Sequence, residues 1–390
     1  MTCSKCGIKA SSFGTTFFGE KCSSCMTLEE LNDHDIVSAN RDFLDAFLRN
    51  AKGSRKTYDC LVPVRADAED YYTVGYLIDR GLNPLVVLVN NFFLNDIGWY
   101  NFHNLITHYD VDSVAYSPNY VSYLEMVRSS LRKFGSIYYP YKAIQHSYVM
   151  RLAKEKNIPA VIWGQCQPLE FSGKFSRSER LFLSQWWIQE HETNGINPER
   201  FLGTGVQLNA SDAWMIRYPE ISEVSGVNSI FLSNFLVWDQ FAQNLEASDK
   251  GFVVESCINT YDCLENTGSS VYYQIHDLLR IQAKGYPKLH EHVARDTRYG
   301  RWALNIGSKI LADIESYVAY NIEPFFKDFL GVTSSGFKWF LKNRLAGVNH
   351  LVRATPEKNI RDKVDHLFAG PLPPQGIDPK RHFVRFMKGI

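Results

Sequence analysis

Four cysteines near the N-terminus, Cys3-Ser-Lys-Cys6 and Cys22-Ser-Ser-Cys25, form two CxxC pairs with fifteen residues between them. Two thiolates at this spacing chelate one ion from a tight turn, and two such turns complete a tetrahedral shell. The spacing predicts a zinc site. Four sulfurs leave no open coordination position, so the ion would be structural. The alternative is four unrelated thiols near a chain end. Residues 7–21 would form a short hairpin, with Gly14 and Gly19 available for turns. Cys60, Cys166, Cys257 and Cys263 make no second CxxC pair. Cys60 and Cys166 fall near predicted strand ends, where thiolates could act as nucleophiles, although free cysteines more often serve as small buried hydrophobes.

Other groups with chemical potential lie further on. Lys288, His290, Glu291, His292, Arg295, Arg298 and Arg301 form a dense basic and imidazole cluster. It reads either as an anion site, because arginine forks match phosphate oxygens, or as a solvated helix face with ordinary ion pairs. His290 and His292 could bind a metal only with a further ligand that the spacing does not supply. Asp239, His276 and Asp277 could do acid–base work, but nothing in their spacing selects them. Trp186, Trp187 and the rings at Phe325, Phe326, Phe329, Phe337, Trp339 and Phe340 read as core or subunit contact.

The elements that must position these groups follow from periodicity. Residues 28–52 read as a helix with Thr27 as N-cap and Glu30 completing a capping box. Buried strands are expected at 59–64, 85–89, 113–117 and 159–163, alternating with helices at about 70–80, 99–109, 120–134 and 142–156. This alternation predicts an α/β fold with a doubly wound parallel sheet over about 58–170. Ligands bind such sheets beyond the carboxyl ends of the strands, which points to the loops at 65–70, 90–98, 117–119 and 164–173. A helix at 177–193 and a polar linker at about 194–212 follow. Helices are then expected at 269–283, 300–321, 323–330 and 334–344. The expected organisation is a zinc ribbon at 1–27, an α/β domain at 28–205, a mostly helical domain at 206–368 and an extended Pro/Gly-rich tail at 369–390.

Composition narrows the class. Acidic and basic residues balance at 42 each, which gives no general attraction to nucleic acid or to an anionic membrane. No apolar run is long enough to span a bilayer, and the N-terminus lacks the apolar core of a signal peptide, so a cytoplasmic chain is expected.

Several strings in this order resemble one family. Tyr58-Asp-Cys-Leu-Val-Pro-Val64 with its loop and helix resembles the N-acetyl sugar amidotransferases of lipopolysaccharide and flagellar-sugar synthesis, which are PP-loop (HUP-like) ATP pyrophosphatases. Ile158-Pro-Ala-Val-Ile-Trp-Gly164 resembles that family's strand before a Gly-Glu turn, and Glu170-Phe-Ser-Gly173 the segment after it. Ile275-His-Asp, Lys284-Gly-Tyr286 and Arg298-Tyr-Gly-Arg301 are similar to later segments, so the resemblance covers about residues 1–345. It implies ATP-dependent adenylation of a nucleotide-activated N-acetyl sugar or sugar acid, followed by attack of ammonia from a glutaminase-type partner. It also implies Glu170 and Lys284 as catalytic residues and Arg298 and Arg301 as substrate-binding residues. The chain leaves room for a homo-oligomer.

One loop departs from the family. Where the family has Ser-Gly-Gly-Lys-Asp-Ser, this chain has Arg65-Ala-Asp-Ala-Glu-Asp70. Both glycines and the lysine are gone, and Asp67, Glu69 and Asp70 take the anionic role at a helix N-terminus that phosphate would fill. ATP binding in the family manner is therefore expected to be lost, unless Mg²⁺ held by these carboxylates bridges to phosphate. Gln165 replaces the turn glutamate, and Trp302-Ala-Leu304 lacks the family's further arginine. The expected function is an amidotransferase-family protein of surface-polysaccharide sugar synthesis. The alternative is an inactive paralogue that binds a nucleotide sugar or partners an active amidotransferase. A third class, tRNA thiolation, is disfavoured by the neutral charge and the lost loop. The zinc module is expected to be a header whose loss leaves the α/β domain's ligand binding intact.

Overall fold

The computed structural model describes residues 1–10, 15–53, 57–165, 182–193, 195–196, 198, 210–255, 259–262, 264, 268 and 271–354. Gly14, Cys166, the segment Glu170–Gly173, Cys257, Cys263 and the tail at 369–390 lie outside the described residues.

The N-terminal module is a hairpin of β1 (Phe17–Phe18) and β2 (Lys21–Cys22), followed directly by α1 (Ser23–Leu31). The second cysteine pair thus sits at the start of a helix, not in a second ribbon turn. Thr27 lies inside α1 instead of capping a helix. The single helix expected at 28–52 is two, because Asn32 and Asp33 end one and start the next. The Asn32 side chain donates to the Leu28 carbonyl (2.7 Å), and Asp33 Oδ1 accepts from the amides of Asp35 (3.1 Å) and Ile36 (3.3 Å) at the start of α2 (His34–Gly53).

The main body is β3 (Cys60–Val64), α3 (Ala68–Ile78), β4 (Pro84–Val89), α4 (Asp96–Tyr109), β5 (Ser113–Tyr116), α5 (Tyr120–Phe134), α6 (Tyr139–Glu155) and β6 (Ala160–Trp163). A short helix α7 (Gln185–Trp187) runs into a π turn over Ile188–Glu192, and α8 (Ala210–Ile216) precedes β7 (Asn228–Phe231). The five strands β3 to β7 are all parallel, in the order β5-β4-β3-β6-β7. The chain winds outward from β3 one way, then returns to its other side at β6, so the order reverses between β3 and β6.

Both faces of this sheet are covered. Cys60, Val62, Val64, Val86, Leu88, Ile162 and Ile230 join one apolar cluster. The alternate residues Leu61, Leu85, Val87, Val161, Trp163 and Phe231 join another. The period of two along each strand explains why these stretches read as continuous apolar runs. The first cluster continues into the C-terminal elements, α9 (Gln240–Asp249), α10 (Tyr273–Lys284), α11 (Lys288–Arg298), α12 (Leu304–Glu315), a π turn at Phe325–Phe329 and α13 (Ser334–Arg344).

β7 comes from the stretch expected to be helical. It is four residues long, starts with two polar residues and is an edge strand, so its periodicity is too weak to read. The sheet therefore ends beyond residue 205. A fragment of residues 28–205 should consequently lack a cooperative thermal transition by circular dichroism, because it leaves the β6 edge and the Ile162 and Val161 faces uncovered. A cooperative melt from that fragment would show that β7 is dispensable.

Candidate functional site

Two sites emerge, one built by the cysteines and one at the reversal of strand order. Cys3, Cys6, Cys22 and Cys25 are all buried, and their sulfurs lie within 4.8 Å of one another. The Cys3–Cys25 and Cys6–Cys22 separations are 3.8 and 3.7 Å. Bonds of about 2.3 Å to a tetrahedral ion put sulfurs about 3.8 Å apart, so the four thiols fit one metal ion. The first knuckle closes through Gly7 N–H to the Cys3 carbonyl (3.0 Å) and Cys3 N–H to the Ile8 carbonyl (2.9 Å), and Cys22 N–H points at Cys3 Sγ (3.3 Å). Gly7 has a φ of +77°, and a Cβ there would meet Leu304 of α12 at 2.9 Å. The module packs on Tyr286 and Ala294, and Thr15 Oγ1 meets the Tyr286 hydroxyl at 3.4 Å. It is docked on the C-terminal helices and is not a free header.

The second site is a cleft at the carboxyl ends of β3 and β6, where strand order reverses. Pro63 has no N–H to offer a further rung, and pairing of β3 with β6 is confined to Leu61↔Val161. The strands part beyond that rung. The opening, about 510 Å³ counted out to solvent, is lined by Pro63, Arg65, Glu69, Asp70, Tyr141, Lys142, Gln145, His146, Trp163, Gly164, Gln165, Glu192 and Phe231.

The loop at 65–70 is closed on itself. Asp70 Oδ2 accepts from the amides of Arg65 and Asp67, each at 2.9 Å, and Asp67 is the N-cap of α3. Arg65 pairs with Glu69, and its Nε lies 3.5 Å from Asp67. Burial, then the neighbouring charges of Asp67 and Glu69, push the Asp70 carboxyl well above the usual range. Two backbone donors that could meet a phosphate thus already meet a carboxylate.

Opposite the loop, Lys142 Nζ meets Glu192 Oε2 at 2.6 Å, and His146 Nε2 lies 3.7 Å from the same oxygen. Burial opposes ionisation of Glu192, but Lys142 and His146 hold its carboxyl well below the usual range. Burial pushes the His146 imidazole down, and its ring lies 4.3 Å from that of Trp163. Lys142 and His146 are one helical turn apart on α6, a spacing visible in the sequence. Their partner lies 50 residues on in a π turn, which no local pattern reveals.

The remaining expected residues are dispersed. Arg298 is turned towards the cysteines: it hydrogen-bonds Cys25 and faces Cys6 and Cys22. Arg301 pairs with Asp296 (3.0 Å) and with Asp239. Lys284 Nζ meets Glu291 at 2.9 Å. Glu170 lies outside the described residues.

The basic cluster proves to be neither a solvated helix face nor a metal site. Every residue of α11 from Lys288 to Thr297 is buried. Glu291 is shared by Arg280 (3.3 Å), Lys284 (2.9 Å) and Lys288 (3.5 Å), and these cations hold its carboxyl well below the usual range against the effect of burial. Arg295, with a fully buried side chain, meets Asp262 (2.7 Å) and Asp296 (2.9 Å). His290 Nε2 meets Glu315 (2.6 Å) and His292 Nδ1 meets Thr260 Oγ1 (2.7 Å), so the two imidazoles serve separate partners. Arg295 also donates to Gln240 Oε1 (3.2 Å), which Gln165 Nε2 approaches at 3.4 Å. This chain of contacts links α11 to the cleft.

Compared with known proteins, the chain matches no family model and no curated protein.

Two outcomes follow from these geometries. Asp70→Ala removes the acceptor for two amides and should cost about 1–2 kcal/mol in urea unfolding, whereas Asp70→Asn keeps an acceptor, removes a strained charge and should cost less. Equal losses would show that the charge, not the acceptor, holds the loop. Glu192 and Glu291 carry depressed folded-state values, so their contribution is present above the unfolded glutamate value of about 4.3 and is lost as pH falls below it. The melting temperature should drop steeply below about pH 4.5. Glu291→Gln should flatten that acid limb and lower stability at neutral pH by about 3 kcal/mol, since it leaves three cations without their shared partner.

Proposed function

We propose that this chain is an amidotransferase-like protein of nucleotide-sugar metabolism that binds a nucleotide-activated N-acetyl sugar or sugar acid and does not use ATP. The observation that carries this reading is the Asp70 carboxylate on the amides of Arg65 and Asp67. A carboxyl already bonded to the loop takes the donors that a phosphate would need. The loop keeps a left-handed turn at Ala66, with φ of 67°, at a position where the family motif has glycine. That supports a phosphate-loop ancestry with the phosphate function lost.

The lining of the cleft supports a sugar as occupant. Tyr141, Gln145, His146, Trp163 and Gln165 are neutral or planar groups of the kind that bond hydroxyls and pack on a ring face. The diphosphate would lie towards Lys142 and His276, where Lys142, Arg280, Lys284 and Lys288 outnumber the Glu192, Glu291 and Asp277 carboxylates that pair with them. The Tyr138 ring, one turn before Lys142, lies 4.7 Å from the His276 ring. Lys284 thus keeps a substrate-facing role in this reading, by charge and not by catalysis. The ion at Cys3, Cys6, Cys22 and Cys25 is zinc in this reading, with a structural role, since the shell is closed.

Titration calorimetry tests the proposal. ATP·Mg²⁺ should give no binding heat, and UDP-N-acetylglucosamine should bind. Tyr141→Phe should weaken the sugar nucleotide by about fivefold to tenfold, the worth of one hydrogen bond. ATP binding with release of pyrophosphate would overturn the proposal, as would failure of any nucleotide sugar to bind.

A further inference from the structure

We infer that Arg298 is the counter-ion of the metal centre, a positioning residue that sets how tightly the four cysteines retain their ion. The inference rests on the reading that a divalent metal occupies the cysteine cluster.

Four thiolates around a divalent ion carry a net charge of about −2. Cys3, Cys6, Cys22 and Cys25 are 0–2% exposed, so water does little to offset that charge. Two sources of positive charge lie within the module. The N-terminus of α1 begins at Cys22, with no acidic residue in its first turn. The Cys22 amide also points at Cys3 Sγ. Neither carries a full charge. Lys5 and Lys21 are the module's nearby lysines, but both are partly solvated and both bond Glu29, at 3.1 and 2.9 Å. Ala294 of α11 packs in one apolar cluster with the four cysteines, and Arg298, one helical turn further on, carries its guanidinium beside Cys25, Cys6 and Cys22. It supplies a whole charge from a half-buried side chain, and its planar fork suits sulfur acceptors on one side of the tetrahedron.

Outer-sphere partners of this kind change metal affinity by about tenfold to a hundredfold. Arg298→Met should therefore release zinc that much more readily to a chromogenic chelator in the full chain, while Arg298→Lys keeps most of the affinity. The melting temperature should fall in Arg298→Met with metal bound. After chelation the fall should vanish or reverse, because no dianionic cluster then needs a partner. Unchanged zinc affinity in Arg298→Met, or an equal loss of stability with and without metal, would reduce Arg298 to a packing residue and overturn the inference. If Arg298→Met does not fold, the lysine variant decides: affinity near that of the unmodified chain supports the charge, and a loss as large as a hundredfold opposes it. Elemental analysis separates this from the underlying reading, since a purified chain without stoichiometric metal removes the reading and the inference together.

Discussion

The burial of α11 is the constraint on which most of the structure depends. A helix that carries Lys288, Glu291, Arg295, Asp296 and Arg298 would ordinarily lie on a surface. Here it lies in the interior, and each charge needs a partner in place before the helix can sit there. Glu291 draws in Arg280 and Lys284 from α10, Arg295 draws in Asp262, and Asp296 draws in Arg301. The Tyr261 hydroxyl also donates to Asp296, at 2.7 Å. Buried pairs of this kind add little net stability over an apolar core, yet breaking one is costly. They constrain register and orientation, because a shifted α11 would bury these charges without their partners.

That fixed helix places two unrelated features. One end meets the cysteines through Arg298, and the middle reaches the cleft through Arg295, Gln240 and Gln165. The cleft itself opens because β3 and β6 share one rung and then part at Pro63. Its charge is set by the loop. Arg65 is absorbed by Glu69 and Asp67, so the loop's own cation is not left to attract a triphosphate. The carboxylates of Asp67, Glu69 and Asp70 close the loop into a cap on α3.

Much of the sheet was legible because its three central strands, β4, β3 and β6, are buried on both faces. Runs such as Pro84–Val89 have no other plausible use, and four strands lie where periodicity placed them. The fifth, Asn228–Phe231, was hidden by its length and its polar start. The cysteine cluster was legible from spacing alone, since chelation geometry is local. The acidic loop was also legible, because a carboxylate at a helix N-terminus acts on residues next to it. What could not be read was tertiary. Arg298 looked like a phosphate ligand because an arginine's partner is not written beside it. Lys284 looked free for the same reason. Their acceptors are a cysteine almost three hundred residues earlier and a glutamate on the following helix. Periodicity also gave no warning that a helix as charged as α11 would be internal, because the signal for burial is apolar content and α11 has little.

The position of the cysteine module carries the last step. As a string, it precedes the sheet and reads as its header. In the fold it leaves the sheet alone and docks on Tyr286, Ala294, Arg298 and Leu304. Contacts across some 271 residues of sequence carry the entropic cost of closing a long loop. The four sulfurs belong to the module, but its docking surface and its counter-charge belong to residues 286–304. A metal bound early would thus present an unpaired anionic cluster until α11 arrives. Conversely, Arg298 meets its full counter-charge only when the cluster is charged. Each half supplies what the other needs to be buried, so a metal ion held by the four cysteines would act as a clasp between the N-terminal module and α11.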